Sequence, residues 1–228
     1  MEGPIVLIIF AVAFILIVSL SYYFSNKNVI IRTLKKIPHK PASSLKTNEL
    51  SKVSGKALHV KEPLIAPFSN RKCVFYQITI EQKVSSGKSS RWKTLIVDEQ
   101  CHEFFVQTDT DFVIVNPTED NSNYICFLVK DSTQNSGAFN DPTPELRRVF
   151  NRYNINPENF FGFNKRLRYK EGIIEIGEMV TVAGIAKWKT LSEPIPEYPY
   201  SKIATLVSSD KQKLIITDLP EVLNKRNL

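Results

Sequence analysis

An unbroken apolar stretch near the N-terminus is the strongest pattern in this chain. Residues 5–24 carry no charged side chain. A helix of about 20 apolar residues crosses the ~30 Å hydrocarbon core of a bilayer and satisfies its own backbone hydrogen bonds there. We therefore predict a transmembrane anchor over residues 5–24. We expect it to be retained, because no Lys or Arg precedes it and bulky Tyr22 and Tyr23 stand where a signal peptidase needs small residues.

Beyond residue 52, apolar and polar residues alternate, which is typical of β-strands. In the clearest strand Val74, Tyr76, Ile78 and Ile80 share one face. Further strands are predicted over residues 92–97, 103–107, 112–115, 124–129, 163–175, 178–188, 203–207 and 214–217. Gly177 and Gly184 are expected to relieve a tightly curved strand, as glycine does at the corners of small barrels.

One amphipathic helix interrupts the strands. Thr143 can cap it and Pro144 suits its first turn. Its apolar residues follow helical spacing and are expected to pack on a sheet: Leu146, Val149, Phe150 and Tyr153. The fold class predicted for residues 52–218 is therefore a β-rich α+β domain, with small-barrel-like antiparallel sheets and one amphipathic helix. Residues 219–228 are expected to form a C-terminal tail.

Positive charge is concentrated directly behind the anchor, in a chain with a net charge of +7. Residues 25–51 contain Pro38 and Pro41 and are predicted to be a basic juxtamembrane spacer. Because Lys and Arg favour the cytoplasmic side, we expect the N-terminus outside and the domain in the cytoplasm, at a bacterial inner membrane. The weak candidates for contact with lipid headgroups are Lys27, Arg32, Lys35, Lys36 and Lys40.

The expected partners are the bilayer, with anionic lipids as a candidate ligand, and an unidentified protein. Nucleic acid is not expected, because the basic residues crowd beside the membrane and no KH-type GxxG loop or aromatic RNP-type strand is present. An electrostatic sensor of anionic lipid, using the lysines between residues 27 and 61, is one alternative function.

The residue types that carry catalysis or bind metals are sparse. There is no C-x-x-C, and the three histidines are scattered, so no metal or cofactor is expected. Cys101 and His102 stand near Asp98 and Glu99, but neighbouring strand residues point to opposite faces. Cys73 is expected to be a core residue. Glu171 and Glu175 are interpreted as an exposed, mixed-charge strand face, and no catalytic residue is assigned.

Three separate motifs resemble the GIDE, or "beside a membrane", domain of membrane-anchored ubiquitin ligases and their prokaryotic relatives. The first motif is Pro67, the polar turn at 69–70, Cys73 and the aromatic pair ending at Tyr76. The second motif follows Trp92 and spans residues 105–117, with Asp109 in an Asp-Thr turn. Asp111 departs from the glycine that the family often has there. The third motif begins at 168, contains Glu171, and ends in a strand that includes Gly177 and Gly184.

This resemblance implies a β-rich domain close to a bilayer that serves interaction or regulation. Ligase members of the family carry a zinc RING, whose Cys and His ligands do not occur in residues 219–228. Enzyme activity is therefore uncertain and is not the leading expectation. The leading hypothesis is a single-pass membrane protein that displays a GIDE-like interaction or scaffolding domain. A component of ubiquitin-transfer chemistry is the alternative from the enzyme class.

Overall fold

An apolar N-terminal helix leads into a β-rich body in this computed structural model, which describes residues 2–109, 111–117, 124–137, 140–191 and 198–223, with side chains from Val6 onward. The helices are α1 (Glu2–Tyr23), α2 (Asn26–Lys36) and α3 (Pro144–Arg152). The strands are β1 (Leu50–His59), β2 (Leu64–Ile65), β3 (Lys72–Ser86), β4 (Ser89–Cys101), β5 (Phe104–Gln107), β6 (Phe112–Val115), β7 (Tyr124–Phe127), β8 (Ser132–Ser136), β9 (Leu167–Glu175), β10 (Met179–Thr190), β11 (Lys202–Val207) and β12 (Leu214–Thr217).

Helix α1 is long and apolar enough to cross a membrane. Its stretch Val6–Tyr23 has a mean hydropathy of 2.6, and none of these residues is buried against the rest of the chain. Such a surface is unfavourable in water and matches the hydrocarbon core of a bilayer. This finding is compatible with single-pass anchoring.

Five strands close into a barrel because β1 pairs with β10 as well as with β5. Their order around the barrel is β1, β5, β6, β11 and β10, and β12 and then β7 extend the sheet from β10. Alternate side chains point inward and are fully buried, including Val53, Val106, Val113, Val182 and Leu206. The predicted β-rich, small-barrel-like fold is confirmed. Two ladders, β6–β11 and β7–β12, are parallel rather than antiparallel.

The second sheet is organised around the long strand β3, which pairs with β2, β4 and β9, while β8 lies on the far side of β9. Helix α3 covers this sheet as predicted, and Leu146, Val149 and Phe150 are buried among its side chains. The Thr143 hydroxyl accepts a hydrogen bond of 3.2 Å from the Leu146 N–H. This is an N-cap, which satisfies one of the unpaired donors of the first helical turn.

Glycines shape the passage from the second sheet into the barrel. Gly177 has a φ of +89° in the turn between β9 and β10, a conformation that side chains with a Cβ rarely adopt. Its N–H donates to the Ala57 carbonyl at 2.7 Å, which ties this turn to β1. Gly184 lies where β10 stops pairing with β12 and begins to pair with β11. A Cβ there would come within 2.7 Å of Leu214 and 2.9 Å of the Val207 carbonyl oxygen.

The segment predicted as a spacer is largely structured. Residues 26–36 form α2, whose Ile30 and Leu34 are buried against Ile215 and Leu219. The Lys52 ammonium donates 2.7 Å to the Leu34 carbonyl and so satisfies one acceptor at the end of α2. The residues directly behind α1 are thus part of the domain's packing. Residues 224–228 of the predicted tail lie outside the described residues.

Candidate functional site

A buried glutamate joins two of the three sequence motifs. Glu171 on β9 is fully buried, so its interpretation as an exposed position was wrong. Its carboxylate accepts hydrogen bonds from the N–H groups of Phe68 (3.0 Å) and Ser69 (3.1 Å) and from the Tyr169 hydroxyl (2.7 Å). Three donors compensate for the water that this carboxylate loses on burial. The turn of the first motif is therefore fixed to a strand of the third motif.

The turn held by Glu171 contains Pro67 and leads directly into β3, on which Cys73 lies. Asn70 adopts a φ of +54° and its N–H donates to the Ala66 carbonyl at 3.1 Å, which closes the turn. Cys73 follows on β3, is fully buried, and its thiol lies 3.7 Å from the Leu64 carbonyl. Burial, and then the negative field of neighbouring carboxylates, raises the pKa of the Cys73 thiol to about 12. Cys73 is therefore a core residue, as predicted, and not a thiolate.

A second polar contact lies under the C-terminal end of α3. The hydroxyls of Tyr76 and Tyr153 both donate to Asp98, at 3.4 and 2.7 Å. Burial, followed by the charge of Asp98, raises the pKa of Tyr76 to about 12. Asp98 on β4 is thus joined to the C-terminal end of α3 through Tyr153 and to β3 through Tyr76.

A cleft of about 200 Å³ opens between the fixed turn and α3. Pro67 and Phe68 form one wall, and Glu145, Arg148 and Arg152 line the other. Arg148 lies 3.5 Å from Glu145, while both arginines remain exposed to solvent. The cleft combines an apolar wall with exposed guanidinium groups, which suits an acidic peptide segment more than a neutral small molecule.

A cavity of about 600 Å³ lies at Cys101 and His102 and is also lined by Glu62. His102 Nδ1 is 3.3 Å from the Glu62 carbonyl oxygen, and the Cys101 thiol donates to the His102 carbonyl. Burial raises the pKa of the Cys101 thiol well above its ordinary value. The Asp98 carboxylate accepts hydrogen bonds from the Tyr76 and Tyr153 hydroxyls and is therefore engaged away from Cys101.

Within the part of the chain that the structure describes, no group of three or more His, Cys, Asp or Glu side chains is placed to hold a metal ion.

The remaining motif residues lie apart from the cleft. Asp109 is in the turn between β5 and β6, where the Thr108 hydroxyl donates to the Asp111 carbonyl at 3.0 Å. Gly177 and Gly184 shape the barrel, as described above. Among the motif residues, Pro67, Cys73, Tyr76 and Glu171 are brought together, whereas Asp109 and the two glycines are not.

Several of the predicted lipid-contacting cations are engaged by protein groups. Lys27 pairs with Glu221 at 2.7 Å, Lys40 pairs with Glu49 at 2.5 Å, and Arg32 contacts the end of α1. Lys35 and Lys36 end α2 with exposed side chains.

Sequence reasoning missed Tyr169, Arg148 and Arg152 as site residues. Tyr169 stands two positions before Glu171 on one strand, so both point to the same face. That spacing was a usable signal. The backbone donors of the turn carry no signal in the sequence. No protein-family model, curated protein or solved structure matches the chain.

Proposed function

We propose that this chain is a single-pass membrane protein with its N-terminus outside and its β-rich domain in the cytoplasm, where the domain binds a protein partner. The observation that supports this most strongly is the contrast between two consecutive helices. None of the residues Val6–Tyr23 in α1 is buried, whereas α2, which follows at once, packs Ile30 and Leu34 into the domain. Such a chain holds a folded domain at the bilayer surface.

The orientation follows from charge. Lys27, Arg32, Lys35 and Lys36 all lie within α2, immediately after the anchor. No Lys or Arg precedes the anchor. Positive residues close to a span remain on the cytoplasmic side, so the domain belongs there.

The cleft beside the fixed turn is the proposed binding site. Glu171 holds one wall of this cleft rigid, and a rigid site loses little conformational entropy on binding. Arg148 and Arg152 would recognise carboxylates of an acidic segment, while Phe68 supplies apolar contact.

We further propose that the domain belongs with the GIDE-like domains. That assignment rests on the three sequence motifs.

Protease protection tests the orientation. In intact cells that produce the full chain, added protease should leave the domain uncut, and opening the cells should expose it. Digestion of the domain in unbroken cells would overturn the topology.

Crosslinking in native membranes tests the binding site. We expect a crosslinked product that forms with the wild-type chain and is lost when both arginines are reversed, as Arg148→Glu with Arg152→Glu. The matched control reverses two exposed lysines on the barrel, as Lys187→Glu with Lys189→Glu, and should keep the product. A product that ignores the arginine reversal would rule out this cleft as the site.

A further inference from the structure

Three phenylalanines stand in solvent at the tip of the loop between α3 and β9. Phe160 is 97% exposed, Phe161 79% and Phe163 64%. The phenylalanine side chain has no polar atom that could hydrogen-bond with water, so its exposure is unfavourable. A cluster of this kind on a folded surface marks a contact with something outside the chain.

Hydrogen bonds hold the tip in a defined shape. The Asn159 side-chain oxygen accepts from the N–H groups of Phe161 (2.9 Å) and Phe163 (3.0 Å). The Asn159 N–H donates to the Phe163 carbonyl at 2.9 Å, and Gly162 adopts a φ of +76° between them. Because the tip is already ordered, inserting it into another phase costs little conformational entropy.

The base of the loop is fixed to its surroundings as well. Lys165 donates through its backbone to the Pro157 carbonyl at 2.7 Å and through its ammonium to the Asn156 carbonyl at 2.9 Å. Arg147 on α3 lies 3.7 Å from Glu158. The three rings are therefore carried on a rigid projection of the domain.

The same end of the domain is strongly basic. The Lys83 N–H donates to the Arg166 carbonyl at 2.8 Å, which places the end of the β3–β4 hairpin beside the base of the loop. Residues 82–93 and 159–168 contain no Asp or Glu. Their cations are Lys83, Lys88, Arg91, Lys93, Lys165, Arg166 and Arg168.

The acids nearest this surface already have partners. Glu81 accepts from Arg168 at 2.7 Å and from Lys170 at 2.6 Å. Glu158 pairs with Arg147, and Asp141 accepts a hydrogen bond from the Asn164 amide. Asp141 keeps its charge, because its partner is a neutral amide, but the seven cations named above outnumber these three acids.

We propose that Phe160, Phe161 and Phe163 insert into the same bilayer that α1 crosses, and that the surrounding basic surface binds its anionic headgroups. The inference rests on the proposed membrane anchoring, since α1 keeps the domain at a high effective concentration near that bilayer. A convex apolar tip enters a deformable lipid phase without a matching groove. Exposed apolar side chains with Lys and Arg nearby are the pattern of interfacial membrane contacts. The domain then has a second contact with the bilayer, which fixes its orientation.

Quenching by brominated lipid tests this insertion in the full chain. Phe161→Trp would be incorporated into nanodiscs made of brominated phosphatidylcholine and phosphatidylglycerol, and co-elution with the discs verifies the anchor. We expect Trp emission at this position to be blue-shifted, and to be quenched relative to discs without bromine. The signal from Trp92 and Trp188 is subtracted with the wild-type chain. Raising the salt concentration or omitting phosphatidylglycerol should weaken the quenching.

Tyr200→Trp is the matched control, since Tyr200 is 61% exposed on the barrel, away from the loop. Equal quenching at both positions would overturn an insertion specific to the tip.

Unquenched, water-like emission of Phe161→Trp in co-eluting discs would overturn the inference but leave the anchor intact. A blue shift without bromine quenching would show that protein covers the tip. Quenching that appears only when separate brominated vesicles are added would assign the tip to an opposing membrane. Failure to co-elute would overturn both proposals.

Discussion

The guanidinium of Arg32 lies 3.7 Å from the centroid of the Tyr23 ring, and its Nη1 donates a 2.6 Å hydrogen bond to the Tyr23 carbonyl oxygen. One side chain of α2 thus satisfies an acceptor at the end of α1 and stacks on the ring of Tyr23, the last residue of that helix. The Asn28 amide adds a bond of 2.7 Å to the Tyr22 carbonyl. The connection between the two helices is therefore held by side chains rather than by sequence continuity alone.

Removing this contact should loosen the connection. We expect Arg32→Ala to lower the free energy of local opening by about 1–2 kcal/mol, because a charge-assisted hydrogen bond and a cation–π contact are lost. Backbone amides of residues 24–30 should then exchange hydrogen roughly 5–30 times faster. Hydrogen-exchange mass spectrometry in nanodiscs measures this. Lys35→Ala, on the same helix with an exposed side chain, is the control and should exchange like the wild type. Unchanged protection in Arg32→Ala would contradict the role assigned to Arg32.

Glu171 should be far more sensitive to a change of charge than its neighbour on the same strand. Glu171→Gln turns an amide N–H₂ toward donors that now lack an acceptor, and we expect it to destabilise the domain by about 2–3 kcal/mol. Glu175→Gln is the matched control, because Glu175 is partly exposed and pairs with Arg71 at the surface. It should cost less than about 1 kcal/mol. Denaturant unfolding in detergent micelles measures both, and equal costs would refute the distinction.

Two buried carboxyl groups, Glu178 and Asp218, should make contributions to the stability of the domain that fall as the pH rises from about 4 to about 7. Burial, reinforced by neighbouring acids, raises the pKa of Glu178 from 4.5 to about 7 and that of Asp218 from 3.8 to about 6. In this window the unfolded chain releases protons that the folded domain keeps, so deprotonation favours unfolding. At a pH below the ordinary pKa values of 4.5 and 3.8, both carboxyl groups are protonated in the folded and in the unfolded chain, so this cost disappears.

Glu178→Gln removes one share of this pH dependence. The amide oxygen can still accept from the Glu175 N–H, which lies 2.8 Å from the carboxylate. We expect the variant to be about 1–3 kcal/mol more stable than the wild type at pH 8 and to lose that advantage at pH 4. The exposed carboxylate at Glu62 provides the control, since Glu62→Gln should leave the pH profile unchanged. Parallel profiles for Glu178→Gln and wild type would show that Glu178 does not keep its proton.

Gly184 should not tolerate even one added methyl group. The Cβ of Gly184→Ala would meet Leu214 at 2.7 Å and the Val207 carbonyl oxygen at 2.9 Å, and the second atom belongs to the backbone. We expect a loss of about 1–3 kcal/mol in the free energy of unfolding, as for other overpacked interiors. Gly137→Ala is the control, because its Cβ would find its nearest neighbour, in Arg166, at 3.6 Å. A wild-type melting temperature for Gly184→Ala would disprove the close approach.

The pattern of apolar and polar residues was enough to predict the elements that bury one face and expose the other. The alternation in β3 and the capped, amphipathic spacing of α3 are both local signals, and both elements are present. Strand β8 could not be predicted in this way, since Ser132–Ser136 is polar throughout and is recruited by the edge of β9. The parallel pairing of β6 with β11 and of β7 with β12 could not be predicted for a related reason. They depend on long-range pairing, which has no short-range signature.

The burial of Glu171 and the packing of α2 were missed because their partners are distant in sequence. Glutamate is rarely buried, so its identity favours exposure unless the donors are known. Here two donors are backbone N–H groups about a hundred positions earlier. Likewise, the apolar residues of α2 meet Ile215 and Leu219 near the other end of the described chain. The cleft could be anticipated only in part, through the motif at Pro67.

The position of β12 has a consequence for how the protein is made. Among the described strands, β7 pairs with β12 alone, and β12 is the last of them to leave the ribosome. Until then both edges of β7 lack a partner strand, and unpaired edges are a template for misassembly. Synthesis at about 5–20 residues per second delays this pairing by several seconds after β7 emerges. Under the proposed anchoring, α1 precedes β12 by about 190 residues and can enter the lipid well before the barrel sheet is complete, so the sheet would be completed on a chain already confined to the membrane surface.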